Sequence, residues 1–227
     1  MTDWRHAYLL HARPYRETSL LLEFFSAECG RTAAVMRGGR RAQRVPQLFQ
    51  PLVVDWQGRG ELGTVRSLEP AGPALRLSGS LLFSGFYINE LLLRLLPRDE
   101  SLPELFLAYA KALGELAEGL RIEPSLREFE GALLQALGFA IDYAHDAQSG
   151  EMVLPDACYA FIQDRGFVPS HHGADAFSGA VLLRIANVPA IDDDVAWHVM
   201  KVVHRRCLAH LLGPKPLKSR ELFLASR

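Results

Sequence analysis

The densest group of functional side chains is Arg37-Gly-Gly-Arg-Arg-Ala-Gln-Arg44, four guanidiniums within eight residues and no carboxylate. Guanidinium groups are forked, permanently charged donors that match phosphate oxygens, and glycine lets a backbone come close to them. The chemistry is therefore the holding of a polyanion. Arg37, Arg40, Arg41 and Arg44 are the expected contacts, and Arg13, Arg16, Arg31 and Arg66 extend the patch. On charge alone, a solvated linker accounts for the loop equally well. Tyr15, Trp56 and Phe49 are aromatic enough to stack bases, although core packing is the better reading of all three.

Groups able to make or break bonds form no matching pattern. Asp192, Asp193 and Asp194 are consecutive, so on a helix they point apart, and a helix start explains them better than a metal. There is no G-x-x-x-x-G-K-[ST] phosphate loop and no G-x-S-x-G elbow. His171 and His172 follow Pro169 in a loop, with no carboxylate at ligand spacing. Cys29, Cys158 and Cys207 are odd in number and unpaired in sequence, which fits a reducing cytoplasm and no disulfide framework. The opening MTDWRHAYLL carries no signal-peptide pattern, and the apolar run from Leu81 to Leu96 is broken by polar residues. The chain reads as a cytoplasmic binding protein without a cofactor, not an enzyme.

The net charge of −1 hides a strong asymmetry. Residues 1–70 carry 10 basic and 7 acidic side chains, residues 71–170 carry 7 and 14, and residues 171–227 carry 8 and 5. Two basic regions flanking an acidic middle suit a polyanion surface.

These groups need elements to place them. Alternation in Ser19–Phe25 puts Leu20, Leu22 and Phe24 on one face and Glu23 on the other. With Arg5–His11, Arg31–Arg37, Pro51–Trp56 and Glu61–Ser67, this makes five short strands in about seventy residues, as in an OB-type barrel. Pro70-Ala-Gly-Pro73 then punctuates the chain. The fold expected is α+β, with a barrel over residues 1–73 and a mainly helical domain over 74–227.

In that second domain, Ser78–Leu96 is apolar nearly all round and so central. Ser101-Leu-Pro-Glu104 and Ser125-Leu-Arg-Glu128 look like capping boxes opening two further helices. Cys158–Ile162 and Gly166–Val168 read as a hairpin. Helices are expected after Ser178 and after Asp192–Asp194, the last ending near Gly213-Pro214. On that last helix His198, Lys201 and Arg205 form a stripe, more simply a wet face than a site, with an auxiliary DNA role as the sharper alternative.

Taken in order, several blocks resemble RecO proteins. They are Ala7–Leu21, Cys29-Gly-Arg31 and Met36–Arg40 in the barrel, Phe86–Leu92 and Phe129–Gly138 in the helices, and Lys215–Leu222 at the end, which is similar to gammaproteobacterial members. The resemblance covers nearly the whole chain. It implies an OB-fold followed by a helical domain, binding of single- and double-stranded DNA, and strand annealing. It also implies RecR as partner and help in loading RecA onto DNA coated by single-strand-binding protein, in the cytoplasm at the nucleoid.

A further implied ligand is the acidic C-terminal tail of single-strand-binding protein. Such a tail needs an apolar hole with a basic rim, and Arg127, Lys215, Lys218 and Arg220 are the expected contacts. Helix-surface ion pairing competes for two arginines, through Glu90 with Arg94 and through Arg127 with Glu130. For Arg94 the ion pair is the better reading. Many RecO proteins carry a four-cysteine zinc module where this chain has residues 143–172, and here the paired thiolates are missing. His145, Cys158, His171 and His172 lack a two-plus-two spacing, so a small metal-free remnant hairpin is expected. The alternative reading is an OB-fold RNA-binding protein, since the barrel and its arginines alone fit RNA equally well.

Overall fold

A computed structural model describes residues 3–42, 45–58, 62–119, 121–171, 173, 175–187 and 193–225. Five strands close into a barrel: β1 (Arg5–Tyr15), β2 (Ser19–Ser26), β3 (Gly30–Met36), β4 (Pro51–Gln57) and β5 (Gly63–Pro70). Their order is β1-β2-β3-β5-β4, with β4 pairing back to β1 and a parallel contact joining β3 to β5. Inside, Leu9, Leu22, Phe24, Ala34, Leu52, Val54 and Trp56 form the core. Period-two alternation sends them inward together, and Phe24 stacks on Trp56 at 5.9 Å.

The outer face of β2 is buried as well, against the second of the chain's described helices. The helices are α1 (Gly79–Leu95), α2 (Pro103–Glu118), α3 (Ile122–Ala136), α4 (Gly179–Asn187), α5 (Asp194–Leu212) and α6 (Lys218–Ala225). Tyr8 and Phe25 of the barrel meet Phe106 and Tyr109 of α2 at centroid distances of 5.2–5.8 Å. A register shift between Leu9 and His11 leaves the Leu10 carbonyl available, and buried Asn89 of α1 donates to it at 3.1 Å. The Tyr109 hydroxyl donates to the Asn89 carbonyl at 2.7 Å, so this buried amide is satisfied at both ends.

Two capping expectations fail. The residue preceding α2 is Leu102, with Pro103 opening the helix, while the Ser101 hydroxyl donates instead to the Ala27 carbonyl at 2.9 Å. Ser125 lies inside α3, which begins at Ile122, and its hydroxyl bonds Glu115 and the Arg121 carbonyl. Serine near a helix start has several partners within reach, and here tertiary ones win. The aspartate expectation holds for Asp193, which accepts from the Val195 N–H at 2.9 Å at the start of α5; Asp192 lies outside the described residues.

Packing groups the chain into two compact units, residues 1–129 with 215–227, and residues 130–214. The second contains a sheet of β6 (Cys158–Ile162), β7 (Gly166–Ser170) and β8 (Ala176–Ser178) in the order β7-β6-β8. The expected hairpin therefore gains a third strand, too short to show alternation. Phe167 is fully buried against Tyr143, Phe161 and Phe177. Asp146, 7 % exposed, accepts from the Gln148 N–H and the Ser149 hydroxyl and so closes its own turn. Among the described residues, no three His, Cys, Asp or Glu side chains gather as a metal site would need.

Beyond Gly213 the chain returns to the first unit, where α6 packs on α1. Glu90 of α1 accepts from the Lys218 N–H, the Ser219 N–H and the Ser219 hydroxyl at 2.7–2.9 Å. Arg94, one turn later, donates to the Lys215 and Pro216 carbonyls at 2.9 and 3.1 Å. Partial burial opposes ionisation of Glu90, but the Ser219 and Lys218 donors and the Arg94 charge outweigh it and hold the carboxyl below the usual carboxylate range. A depressed folded-state pKa contributes stability that is present above the unfolded value and lost as pH falls through the folded one. Pepsin cleavage within α6 should accordingly accelerate as pH falls below the usual carboxylate range, measured against an unstructured peptide. Trypsin reads cleavage after Lys218 and Arg220 at pH 7. Glu90→Gln should show the fast cleavage already at pH 7. Equal rates for wild type and Glu90→Gln would refute the clamp.

Candidate nucleic-acid interface

The arginine loop is seated on the tip of the β1–β2 hairpin. Gly38 is left-handed (φ 69°) and opens a single 3-10 turn, Gly39–Arg41. Gly39 is buried, and a Cβ there would come 3.1 Å from the Leu20 side chain. Gly39 thus packs the loop on Leu20, while Gly38 makes its turn with nothing within 4 Å of an added Cβ. The Arg40 N–H donates to the Thr18 carbonyl at 3.0 Å, and its guanidinium donates to the Glu17 carbonyl at 2.9 Å. Arg16, at the hairpin tip with φ 52°, places its guanidinium 5.2 Å from the Tyr15 ring centre.

The strand register brings further arginines to this end. Arg13 pairs across with Leu21, Leu21 with Val35, and Val35 with Thr64. Arg37 and Arg66 each follow two residues after the Val35–Thr64 pair, so both continue the row of outward-facing positions that Arg13 begins. Arg13, Arg37, Arg41 and Arg66 are exposed, and among the described residues none makes an ion pair or side-chain hydrogen bond. Arg44 lies outside the described residues.

Arg31 is not brought into the row. It sits six residues before Arg37, roughly 20 Å along the strand. Its guanidinium is 16 % exposed, 3.5 Å from Glu23, and donates to the Leu96 carbonyl at 2.9 Å. It belongs to a seam that also contains Arg98 with Glu23 at 2.7 Å and the Thr32 hydroxyl with Asp99 at 2.6 Å. Two of the three aromatics are core. Phe49 is 4 % exposed against Phe86, and Trp56 is 8 % exposed under Phe24 and Arg5. Tyr15 is the one at the surface, half-buried beside Arg16. What sequence spacing missed is the role of Glu17 and Thr18, whose carbonyls seat the loop; backbone acceptors leave no residue-type signature.

Of the residues expected to receive an acidic tail, Lys215, Lys218 and Arg220 are exposed at or beside the start of α6. Arg127 is 4 % exposed on α3, 3.3 Å from Glu123 one turn earlier. Glu123 is thus an ion-pair partner of Arg127, and Glu130 lies 3.3 Å from His204. Arg94 does pair with Glu90, at 3.9 Å, in addition to its carbonyl contacts. On α5, His198 and Arg205 are exposed and Lys201 is half-buried. No helix among the described residues is long and apolar enough to cross a membrane.

Comparison with known families adds the context. Residues 1–74 match the model described as Recombination protein O N terminal, and residues 76–221 match Recombination protein O C terminal. The chain is similar to a DNA repair protein RecO of Methylococcus capsulatus, 45% identical over 225 residues that cover 97% of this chain and 93% of the relative. A DNA repair protein RecO of Yersinia pestis is 43% identical over 233 residues, covering 98% and 95%. One of Aliivibrio salmonicida is 41% identical over 226 residues, covering 97% and 94%.

Proposed function

We propose, from the premise that this chain belongs to the RecO family of DNA repair proteins, that it is a recombination mediator acting by binding alone. The barrel, residues 1–73, is its DNA-binding domain, and residues 74–227 form the domain that meets protein partners. The observation that carries the reading is the row of exposed arginines at one end of the barrel, Arg13, Arg37, Arg41 and Arg66, unpaired among the described residues and beside the Tyr15–Arg16 pair. Such a row holds a backbone by its phosphates and leaves bases turned outward. Two strands held with their charge neutralised repel less, so pairing needs no covalent step and no nucleotide hydrolysis.

Strand annealing tests this reading. Purified protein should speed pairing of complementary fluorescent oligonucleotides in low salt and favour DNA over matched RNA. Unchanged pairing, with no affinity for either polymer, would reject it; a preference for RNA would support the OB-fold RNA-binding alternative. The family supports two partner roles, docking of the acidic tail of single-strand-binding protein and cooperation with RecR in loading RecA. For the tail, Lys215, Lys218 and Arg220 provide an accessible basic rim. A carboxylate reaching Arg127 would share or replace the Glu123 contact. A synthetic acidic tail should bind Lys218→Glu/Arg220→Glu protein about tenfold more weakly than wild type, read by fluorescence anisotropy. Equal affinities would remove α6 from the docking site.

A further inference from the structure

The second unit contains a cleft of about 610 Å³ that DNA binding leaves unused. Its lining includes the apolar side chains Phe139, Ile141, Phe161 and Phe167, with Asp142, Asp146 and Asp164 against a single guanidinium, Arg165. Asp142 and Asp164 are well exposed, at 62% and 56%, and each faces a histidine, His145 at 2.9 Å and His210 at 3.5 Å. Partial burial works against ionised Asp142, but bonds from His145 and the Ala144 N–H outweigh it and keep its carboxyl below the usual range. Thiol chemistry has no place here, because burial pushes the lining Cys207 up to about 11.

Two further observations bear on what the cleft accepts. From Phe139 to Asp164 the chain has five carboxylates and neither lysine nor arginine; Arg165 is the first cation after them. In the same stretch, Phe139, Met152, Leu154 and Ile162 are 41%, 61%, 64% and 42% exposed. Apolar side chains held in water beside a carboxylate-rich rim mark a surface that another molecule covers. The net negative rim disfavours phosphate, so a basic molecule suits it better than nucleic acid.

We propose that this cleft docks a basic, apolar segment of a partner protein. An arginine or lysine stem would lie on the Phe139 and Phe161 rings while its charged head reaches Asp142 or Asp164. Aliphatic neighbours in the same segment would cover the exposed side chains. The face is complementary in charge to such a segment, which favours fast encounter and rejects acidic competitors. The inference does not depend on the DNA-binding proposal, since the two surfaces have opposite charge.

The test is titration of isotope-labelled full-length protein with a twelve-residue peptide of alternating arginine and leucine. An alternating glutamate–leucine peptide and spermidine serve as comparisons. Amide shifts should fall in residues 138–150 and 161–167, and leave the barrel strands unmoved. The double variant Asp142→Asn/Asp164→Asn should weaken the basic peptide about tenfold. Asparagine preserves the side-chain acceptor that Asp142 offers to the Ala144 N–H and tolerates the φ of 60° at position 164. Thermal melting confirms that the variant is folded, and its oligonucleotide affinity should stay at the wild-type level. Shifts located elsewhere, unaltered affinity in the double variant, equal binding of the acidic peptide or spermidine, or no binding at millimolar peptide would each overturn the proposal.

Discussion

Alanine at Arg13, Arg37, Arg41 and Arg66 together should lower affinity for a single-stranded oligonucleotide by about 600-fold in 0.1 M salt. The size of the loss follows from counterion release, in which each phosphate contact on a single strand contributes roughly 0.7 to the log–log salt slope. Four contacts make roughly 2.8, and a tenfold dilution from 1 M salt turns that slope into the stated factor. The four are chosen because their guanidiniums are exposed and have no partner among the described residues, so removing them disturbs no fold contact. Arg31→Ala is the control. Its guanidinium serves Glu23 and the Leu96 carbonyl, so the salt slope should hold while stability falls. Arg40→Ala should do some of each, because that side chain also ties the loop to the Glu17 carbonyl. Salt titrations by anisotropy read all three. A quadruple variant with the wild-type slope would move the DNA path off this end of the barrel.

The second large effect belongs to the seam between barrel and helices. Gly30→Ala should destabilise the protein by about 3 kcal/mol or more, seen as a lower urea midpoint with little change in slope. Two causes act together. Gly30 has φ 67°, where an L-residue is strained, and a Cβ there would lie 1.7 Å from the Glu100 carbonyl oxygen. The neighbouring backbone cannot simply retreat, because Asp99 is held by its N–H to the Arg31 carbonyl and by its carboxylate to the Thr32 hydroxyl. Gly38→Ala separates the causes. Its φ is 69° but nothing lies within 4 Å, so only the backbone strain applies, about 1 kcal/mol. Equal losses at the two positions would show that the seam yields easily.

Much of the fold is legible in the order of residues alone. Strand β2 follows from alternation, because a strand with one face on a core must repeat every second residue. The other four barrel strands follow from turn residues at short, regular spacing. Helix α1 follows from an apolar run after Ser78, and α5 from the aspartates that open it and the Gly213 that closes it. Helix α6 is not visible there, since eight residues are too few to form a helix without a partner. It forms because Glu90 and Arg94, more than a hundred residues earlier, satisfy its first N–H groups and the carbonyls before it. Strand β8 escapes for the same reason, being ordered by pairing with β6.

The candidate site divides along the same line. Residue type and charge run single out Arg37 to Arg44 as a candidate for polyanion binding, with a solvated linker equally open on charge alone. The family resemblance tips the reading to DNA. Which arginines are available is decided by tertiary structure. Arg31 and Arg37 are alike as letters, yet one is bound into the barrel–helix seam and the other stands in water. Side-chain partners come from strands and helices distant in sequence, and their distances arise only when the barrel closes. Composition sets what a surface can attract; closure sets which groups remain on it.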